Sequence, residues 1–213
     1  MRVSREKAAE NREKILASAA RLFRERGIGA TGVDSVTADA GLTHGGLYSQ
    51  FGSKEAIIAE AIGFATRRSK RIWQRTAERR PGKKTFPAIV EDYLSRAHRD
   101  APGQGCVLAA LGADIARQPP TVRQAFTKEL QHTFDLLAGL MEQGPPSRHY
   151  EDAISAFACM AGALILARAV DDQALSDRIL KAAAKRVVSL AKVPKVHGLV
   201  RSRATGTSRI ASR

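Results

Sequence analysis

The amino-acid sequence predicts an all-α protein, and three observations support this fold class. Apolar residues recur at three- and four-residue spacing in almost every segment, which is the period of an amphipathic helix. No segment has the sustained alternation of apolar and polar residues that is typical of a half-buried strand. Glycine and proline separate the periodic segments, as at Pro81-Gly82, Pro102-Gly103 and Pro119-Pro120.

The first 80 residues predict four helices. The first has an apolar face that includes Ile15, Leu22 and Phe23, and Gly27 follows as its expected C-terminal cap. The second is expected over Val33 to Ala40, the third over His44 to Phe51, and the fourth continues into the arginine-rich stretch 67–80. Hydroxyl side chains precede the last three helices and are expected to cap them: Thr31, Thr43 and Ser53.

The rest of the chain predicts five more helices, which Pro, Gly and Asp-Asp pairs separate. They are expected near residues 86–100, 105–117, 120–142, 148–170 and 173–192. Residues 194–213 mix Gly, Ser, Thr and Arg without apolar periodicity, which predicts a disordered basic tail. Such a tail is either a solvated terminus or a non-specific arm that binds phosphates.

The composition favours a polyanionic partner. The chain has 213 residues, 44% hydrophobic and 26% charged, and a net charge of +14, so it is neither wholly disordered nor embedded in a membrane. The excess charge lies at the two ends: residues 1–80 have a net charge of +7, residues 81–193 of +2, and the tail of +5. Nucleic acid is therefore a better expected partner than an anionic membrane.

Membrane insertion and export are not expected. Residues 153–167 contain no charge, but a membrane span requires about 20 strongly apolar residues, and a buried interface helix explains the run better. The N-terminus has no apolar signal region, and two cysteines are too few for a disulfide framework. A reducing, cytoplasmic location follows as the expectation.

Residues 31–55 predict a helix-turn-helix. Two short helices flank a turn that begins at Gly41, and the second helix is of a kind that can enter the major groove of DNA. Gly45 and Gly46 lie within that second helix, where each glycine costs roughly 1 kcal/mol relative to alanine. Close approach of the backbone to DNA would explain both glycines, and so would a loosely formed turn.

These residues resemble the tetracycline-repressor (TetR/AcrR-like) family. The resemblance covers roughly residues 10–65 and depends on the first-helix pattern, the turn Gly41-Leu42-Thr43, the pair Leu47-Tyr48 and the run 51–55, Phe-Gly-Ser-Lys-Glu. The stretch from Gly105 to Gln118 is similar to the C-terminal domain of one AcrR-like branch. The resemblance implies a helix-turn-helix DNA-binding domain at 1–53, a larger helical ligand-binding and dimerisation domain at 54–193, and the tail at 194–213.

The resemblance also implies a function and a set of contacts with DNA. Members are homodimeric, ligand-responsive transcriptional regulators, usually repressors of a pseudo-palindromic operator. Matching positions imply phosphate contacts and, at the start of the recognition helix, base contacts. The expected phosphate contacts are Thr43, Tyr48, Gln50 and Lys54, and the expected base contacts are His44 and Ser49. Gln50 stands where the family often has histidine. For each side chain an ordinary structural or surface role is the alternative.

The ligand and dimer sites are expected in the C-terminal helices. A mainly apolar cavity would contain some of the apolar residues of the middle helices, and ordinary core packing is the alternative for each. The expected lining residues are Phe86, Ile89, Tyr93, Cys106, Leu111, Phe126, Leu130 and Phe134. Small residues in the last two helices predict a four-helix bundle between two subunits, with intramolecular core as the alternative. The expected interface residues are Ala156, Cys159, Met160, Ala163, Ala167, Ile179, Ala183 and Val187.

The sequence leaves two alternatives to a specific regulator and disfavours a third. Cys106 stands at a predicted helix start, where the helix dipole favours a thiolate, so a thiol sensor of oxidants or electrophiles is one alternative. A protein that coats DNA without reading its sequence is the second. An enzyme is disfavoured because the sequence contains no phosphate-binding loop and no nucleophile elbow. The sequence also lacks a cluster of metal ligands, so no cofactor or metal is expected.

Overall fold

A computed structural model describes residues 5–141 and 146–190, and these contain ten α-helices and no strand. The all-α prediction is confirmed. The helices are α1 (Arg5–Arg26), α2 (Val33–Asp39), α3 (His44–Phe51), α4 (Lys54–Arg79), α5 (Thr85–Tyr93), α6 (Arg96–Asp100), α7 (Val107–Ala116), α8 (Pro120–Leu140), α9 (Pro146–Ala169) and α10 (Gln173–Leu190). The predicted basic tail, residues 194–213, lies outside the described residues.

The helix ends in the N-terminal region follow the sequence closely, although only one of the three predicted hydroxyl caps forms its hydrogen bond. Gly27 ends α1 with a φ of 85°, a conformation that favours glycine. The Ser53 hydroxyl caps α4 by accepting a hydrogen bond from the Ala56 N–H at 3.1 Å. The predicted Thr31 cap is wrong, because Gly32 occupies the N-cap position of α2 and the buried Thr31 hydroxyl donates to the Gly27 carbonyl at 2.8 Å.

The predicted helix 86–100 is two helices. α5 ends at Tyr93, and Ser95 begins α6 by accepting a hydrogen bond from the His98 N–H at 3.2 Å and donating to the Asp92 carbonyl at 2.8 Å. A serine side chain that satisfies backbone groups in this way competes with a continuous helix. The break allows His98 to fold back toward the end of α5.

Two apolar cores stabilise the chain, and α4 contributes to both. The first contains Ile15 and Phe23 of α1, Leu47 of α3, the first half of α4, and Leu111 of α7. The second contains Trp73 near the end of α4 together with the apolar faces of α5, α8, α9 and α10. One continuous helix therefore connects the helix-turn-helix region to the C-terminal core.

α9 is the most apolar long helix of the described residues. By length and hydropathy alone, the segment His149–Ala169 could cross a membrane, and 44% of its most apolar window is buried inside the chain. Ala153, Met160 and Leu164 are fully buried against the C-terminal core. This packing gives the apolar sequence of α9 an explanation within the fold.

Candidate nucleic-acid interface and ligand cavity

The first three helices form a helix-turn-helix with a buried and an exposed face. Leu47 of α3 is completely buried and Phe51 nearly so, and both join the first core with Val36 of α2. With this face of α3 buried, Tyr48 and Ser49 lie on the exposed side. A helix positioned in this way presents polar side chains outward, as a recognition helix does.

An ionic contact fixes the first two helices of this unit. The Asp39 carboxylate at the end of α2 accepts a hydrogen bond from the Ser18 hydroxyl at 2.6 Å and pairs with the Arg21 guanidinium of α1. The hydrogen bond from Ser18, followed by that from Arg21, lowers the pKa of Asp39. The ionised carboxylate is therefore part of what orients α2 on α1.

The four residues predicted to contact phosphates lie at or near the ends of α3 and α4. Thr43 is exposed at the N-cap position of α3 and makes no capping hydrogen bond with its side chain, so the predicted capping role is wrong. Tyr48 is 41% exposed. The Lys54 ammonium donates to the Ile28 carbonyl at 3.3 Å, which engages one of its three N–H donors. The Gln50 Oε1 atom is buried without a hydrogen-bond partner.

The predicted base contacts and glycines occupy the first turns of α3. Ser49 is exposed, and its hydroxyl donates to the Gly46 carbonyl at 3.0 Å. The side chain of His44 lies outside the described part of the structure. A Cβ added at Gly45 would meet no atom within 4 Å, and one at Gly46 only the Thr43 hydroxyl at 3.8 Å. Packing within the chain therefore does not require glycine at either position.

Positive charge borders the helix-turn-helix. Residues 27–53 contain two aspartates and no lysine or arginine. Lys54 stands at the start of α4, and Arg12 of α1 lies over the Phe51 ring at 4.3 Å while it pairs with Glu60 at 2.6 Å. Sequence reasoning missed the position of Arg12, because a contact between α1 and the end of α3 depends on tertiary packing. Phosphate binding here would depend on hydroxyls, backbone N–H groups and a few cations.

A second candidate site is a cavity of about 360 Å³ in the C-terminal region. α4 lines one wall with Thr66, Ser69, Lys70, Ile72 and Trp73, and α8 contributes Phe126, Glu129, Leu130 and Thr133. The other lining residues are Asp92, Tyr93, Ser95, Ala97, His98, Gln104, Gly105, Cys106, Val107, Leu108 and Phe157. Its volume is within the usual range for small-molecule sites.

Half of the residues predicted to line a cavity do line this one. They are Tyr93, Cys106, Phe126 and Leu130. Leu111 instead belongs to the first core, and Phe86, Ile89 and Phe134 to the second, as the alternative of ordinary core packing proposed. Sequence reasoning missed Lys70, Trp73, His98 and Glu129, since no local pattern identifies which side of α4 faces α8.

Tyr93, His98 and Cys106 form a polar end of the cavity. The His98 ring accepts a hydrogen bond at Nε2 from the Cys106 N–H at 3.0 Å, so Nδ1 has the proton and donates to the Tyr93 carbonyl at 2.6 Å. Burial lowers the pKa of His98, and the charges of Arg168 and Arg24 lower it further. A Cβ at Gly105 would lie 2.6 Å from His98 Nε2, so glycine allows this close packing.

The residues predicted at a dimer interface separate into two groups. Ala156, Met160, Ala163, Ala167 and Val187 are buried in the C-terminal core of their own chain, which leaves almost none of their surface for a partner. Cys159, Ile179 and Ala183 are partly exposed. The large exposed apolar side chains of α9 and α10 are different residues: Ile154, Ile165, Leu166 and Leu175.

Among residues 5–141 and 146–190, no three His, Cys, Asp or Glu side chains lie close enough together to hold a metal ion. Both cysteines are free thiols. The cavity wall is apolar over most of its area and also contains polar and charged side chains such as Lys70, His98 and Glu129, a combination that occurs in ligand-binding sites.

Comparison with known proteins agrees with this geometry. Residues 15–61 match the model for bacterial regulatory proteins of the tetR family, and residues 82–183 match the tetracyclin repressor-like C-terminal domain. The uncharacterized HTH-type transcriptional regulator Rv0196 of Mycobacterium tuberculosis is 28% identical over 165 residues, 74% of this chain and 84% of that protein. The HTH-type transcriptional repressor BepR of Brucella suis is 38% identical over 65 residues, 30% of this chain and 31% of that protein.

Solved structures share the fold. A TetR-family regulator from Cytophaga hutchinsonii superposes with a TM-score of 0.74 at 20% identity, covering 93% of this chain and all of that one. The reduced form of NemR from E. coli gives a TM-score of 0.67 at 23% identity, covering 83% and 94% of the two chains. The two domain matches, the helix-turn-helix and the helical C-terminal region together make this chain a member of the tetR family, whose members are DNA-binding transcriptional regulators and not enzymes.

Proposed function

We propose that this protein is a homodimeric, cytoplasmic repressor that leaves a pseudo-palindromic operator when a small, mainly apolar molecule binds the C-terminal cavity. The main support is the course of α4. This helix begins next to the recognition helix at Lys54, packs in the first core through Ile57 and Ile58, and then lines the cavity from Thr66 to Trp73. A ligand that displaces the second half of α4 would therefore also move the helix-turn-helix.

On the DNA side, the exposed face of α3 supports the proposal. His44 and Ser49 would contact bases, Thr43, Tyr48, Gln50 and Lys54 would contact phosphates, and Gly45 and Gly46 would allow the backbone to approach closely. Hydroxyl, phenol, amide and ammonium groups are all good donors to phosphate oxygens. Because few cations lie near α3, specific contacts would contribute more than net charge.

Two further contacts connect the cavity to the DNA-binding helices. The buried Arg24 side chain of α1 donates through Nε to the Gly103 carbonyl at 3.1 Å, and Gly103 lies two residues before the cavity residue Gly105. The Asp114 carboxylate of α7 accepts from the Ile28 N–H at 2.9 Å. A ligand that shifts residues 104–108 would thereby act on α1 directly, and not only through α4.

The dimer is proposed to form through exposed apolar residues of α9 and α10. Ile154, Ala158, Gly162 and Ile165 follow one another at three- and four-residue spacing along α9 and are exposed or partly exposed. A Cβ at Gly162 would meet nothing within 4 Å, so a second helix could approach closely there. Leu166 and Leu175 are 57% and 41% exposed and would widen this surface.

Fluorescence anisotropy of labelled DNA tests the proposal. Labelled DNA fragments from upstream of the protein's own gene and from neighbouring intergenic regions are titrated with the purified protein at about 150 mM salt. Unlabelled DNA of scrambled sequence is present as competitor. Saturable binding of one fragment that survives competitor is expected, with discrimination of roughly 10³-fold or more. Equal binding to every fragment, lost steeply with salt, would instead support a protein that only coats DNA.

A thiol sensor at Cys106 is the second candidate, and the position of that residue favours it. Cys106 lines the cavity at the N-cap position of α7. Its thiol could add to an electrophilic alkene, forming an S–C bond while the thiol proton ends on the neighbouring carbon. N-Ethylmaleimide should then release operator DNA from the wild type and from Cys159→Ser but not from Cys106→Ser. Equal release from both variants would exclude this candidate.

A further inference from the structure

The Tyr93 hydroxyl is a buried hydrogen-bonding group at the cavity without a strong partner in the chain. Tyr93 is 4% exposed and lines the cavity, and its ring packs edge-on against His98 at 4.6 Å. The hydroxyl oxygen is buried without a hydrogen-bond partner. The Cys106 thiol helps to raise the pKa of Tyr93 through its charge and through a side-chain hydrogen bond, but sulfur is a weak acceptor and the contact does not have the geometry of an ordinary hydrogen bond. Burial is the main cause of the raised pKa, so the phenol keeps its proton and can donate.

Two arginines, the buried Arg24 and the partly buried Arg168, place positive charge at this end of the cavity, where both lower the pKa of His98. Arg24 donates to the Gly103 carbonyl, and Arg168 donates to the Arg99 carbonyl at 3.0 Å and the His98 carbonyl at 2.8 Å. Among the contacts of the described residues, neither guanidinium hydrogen-bonds a carboxylate, and the Nη1 atom of Arg168 has no partner. Burial is the largest cause that lowers the pKa of each arginine.

The acidic groups of the cavity do not offset this charge. Glu129 pairs with Lys70 at 3.3 Å, and both side chains are mostly buried. Asp92 is exposed to solvent, where water screens its charge. His98 is neutral because Nε2 accepts the Cys106 N–H. Glu25 acts on Arg24 and Asp100 acts on Arg168, but each of these carboxylates already pairs with another arginine, Arg21 or Arg99. The end of the cavity near Tyr93 therefore combines an O–H donor with positive charge that these carboxylates offset only in part.

We propose that the cavity selects mainly apolar molecules that bear an anionic hydrogen-bond acceptor such as a carboxylate, and that Tyr93 donates a hydrogen bond to this group. The proposal rests on the proposed function of the cavity as the effector site. The acceptor would satisfy the hydroxyl and be attracted by Arg168 and Arg24, while the alkyl or aryl part would contact Trp73, Leu108 and Phe157. A cationic molecule would meet repulsion at the same end.

Three probes with one alkyl chain and different head groups test the proposal: octanoate, 1-octanol and octylammonium. The chain has one tryptophan, and Trp73 lines the cavity, so its fluorescence reports binding without a label. Octanoate should bind the wild type at least about tenfold more tightly than 1-octanol, since hydrogen bonds to a charged group are the stronger ones. Octylammonium should bind most weakly.

Two variants separate the role of the hydroxyl from that of the cavity. Tyr93→Phe keeps the ring and should lower the octanoate affinity about tenfold while the 1-octanol affinity changes little. Tyr150→Phe removes the same phenol hydroxyl from a partly buried tyrosine of α9 outside the cavity and should leave the affinities and the order of the probes unchanged. A preference for 1-octanol or octylammonium, no binding of any probe, or an unchanged octanoate affinity in Tyr93→Phe would overturn the proposal. These titrations contain no DNA, so their failure is distinct from a failure of operator binding.

Discussion

The Asp114 carboxylate of α7 accepts a hydrogen bond from the backbone N–H of Ile28 at 2.9 Å. The backbone carbonyl of Ile28 in turn accepts a hydrogen bond from the Lys54 ammonium at 3.3 Å. Ile28 lies in the loop between α1 and α2 and its side chain is almost completely buried. One residue of this loop is therefore bound both to a helix that lines the cavity and to the start of the helix that follows the recognition helix.

Removing the carboxylate should destabilise this junction. Asp114→Ala leaves the Ile28 N–H in a largely buried site without its acceptor, which costs about 1–3 kcal/mol. Urea unfolding followed by circular dichroism should show that loss. Asp135→Ala, an exposed site on α8, is the matched control and should change the free energy of unfolding by less than about 0.5 kcal/mol. Equal effects in the two variants would mean that the Asp114 contact contributes nothing.

The Gly45→Ala variant should distinguish the effect of this glycine on stability from its effect on operator affinity. Alanine is the better helix former, so the variant should gain up to about 1 kcal/mol of stability, and the open space around Gly45 means no internal clash. Operator affinity should nevertheless fall about tenfold or more, an effect of at least about 1.4 kcal/mol, because the added methyl group would stand between α3 and the DNA. Anisotropy titration of labelled operator DNA measures this change in affinity.

Gly139→Ala, near the end of α8, is the control for this change. It also fills open space and should raise stability without altering the affinity for DNA. If Gly45→Ala bound operator as well as the wild type, the glycines of α3 would have no role in close approach.

Lys54→Ala should weaken binding to all DNA sequences about equally. Loss of one phosphate contact should reduce the slope of log K against log salt by about 1. Because Lys54 also binds the Ile28 carbonyl, a change in affinity alone could reflect a weakened fold, but the salt slope responds only to charge at the DNA. Lys128→Ala, exposed on α8, should keep the wild-type slope. An unchanged slope in Lys54→Ala would mean that Lys54 contacts no phosphate and only binds the Ile28 carbonyl.

Leu166→Glu should convert a dimer to a monomer. The Leu166 side chain is 57% exposed in a single chain, so a charge at this position should change the stability of the isolated subunit little. At the proposed interface the same charge would be buried, which is unfavourable. Sedimentation equilibrium should give the monomer mass for this variant. Thr127→Glu, an exposed site on α8, adds the same charge and should leave the dimer intact. A dimeric Leu166→Glu protein would locate the interface elsewhere.

Local features of this fold could be predicted from the sequence, and features that depend on tertiary packing could not. The bounds of α3 were predicted to the residue, because Thr43 and Gly52 punctuate a short segment. The sequence does not predict the break between α5 and α6. Ser95 interrupts the helix through its own hydrogen bonds, and neither glycine nor proline stands at the break to signal it. The sequence predicts Thr31 as the cap of α2, but Gly32 occupies the N-cap position without a side-chain cap, because the Thr31 side chain is buried against α1.

The two C-terminal sites illustrate the same limit. An apolar helix such as α9 has one face toward its own core and another that is exposed, and spacing alone does not tell which is which. Met160 and Ile165 are both apolar, yet Met160 is completely buried and Ile165 is 46% exposed. The cavity depends on Lys70 and Glu129 meeting across α4 and α8, residues that are far apart in sequence.

His98 provides a pH-dependent test of the polar end of the cavity. Its folded-state pKa is lowered by burial and by Arg168 and Arg24, against the opposing effect of the Tyr93 carbonyl. Protonation at Nε2 would also break the hydrogen bond from the Cys106 N–H. Below the unfolded-state pKa of about 6.5, the unfolded chain binds a proton that the folded chain does not, so stability falls as the pH falls.

The melting temperature of the wild type should therefore decrease between about pH 7.5 and 5.5, with most of the loss below about pH 6.5. His98→Gln should have a smaller slope across this window, whatever its melting temperature at pH 7.5, because the titrating group is gone. His132→Gln, at an exposed position on α8, should keep the wild-type slope. The lowered pKa values of Asp39 and Glu10 place their titration below this window. A slope in His98→Gln equal to that of the wild type would show that His98 does not stay neutral at the cavity.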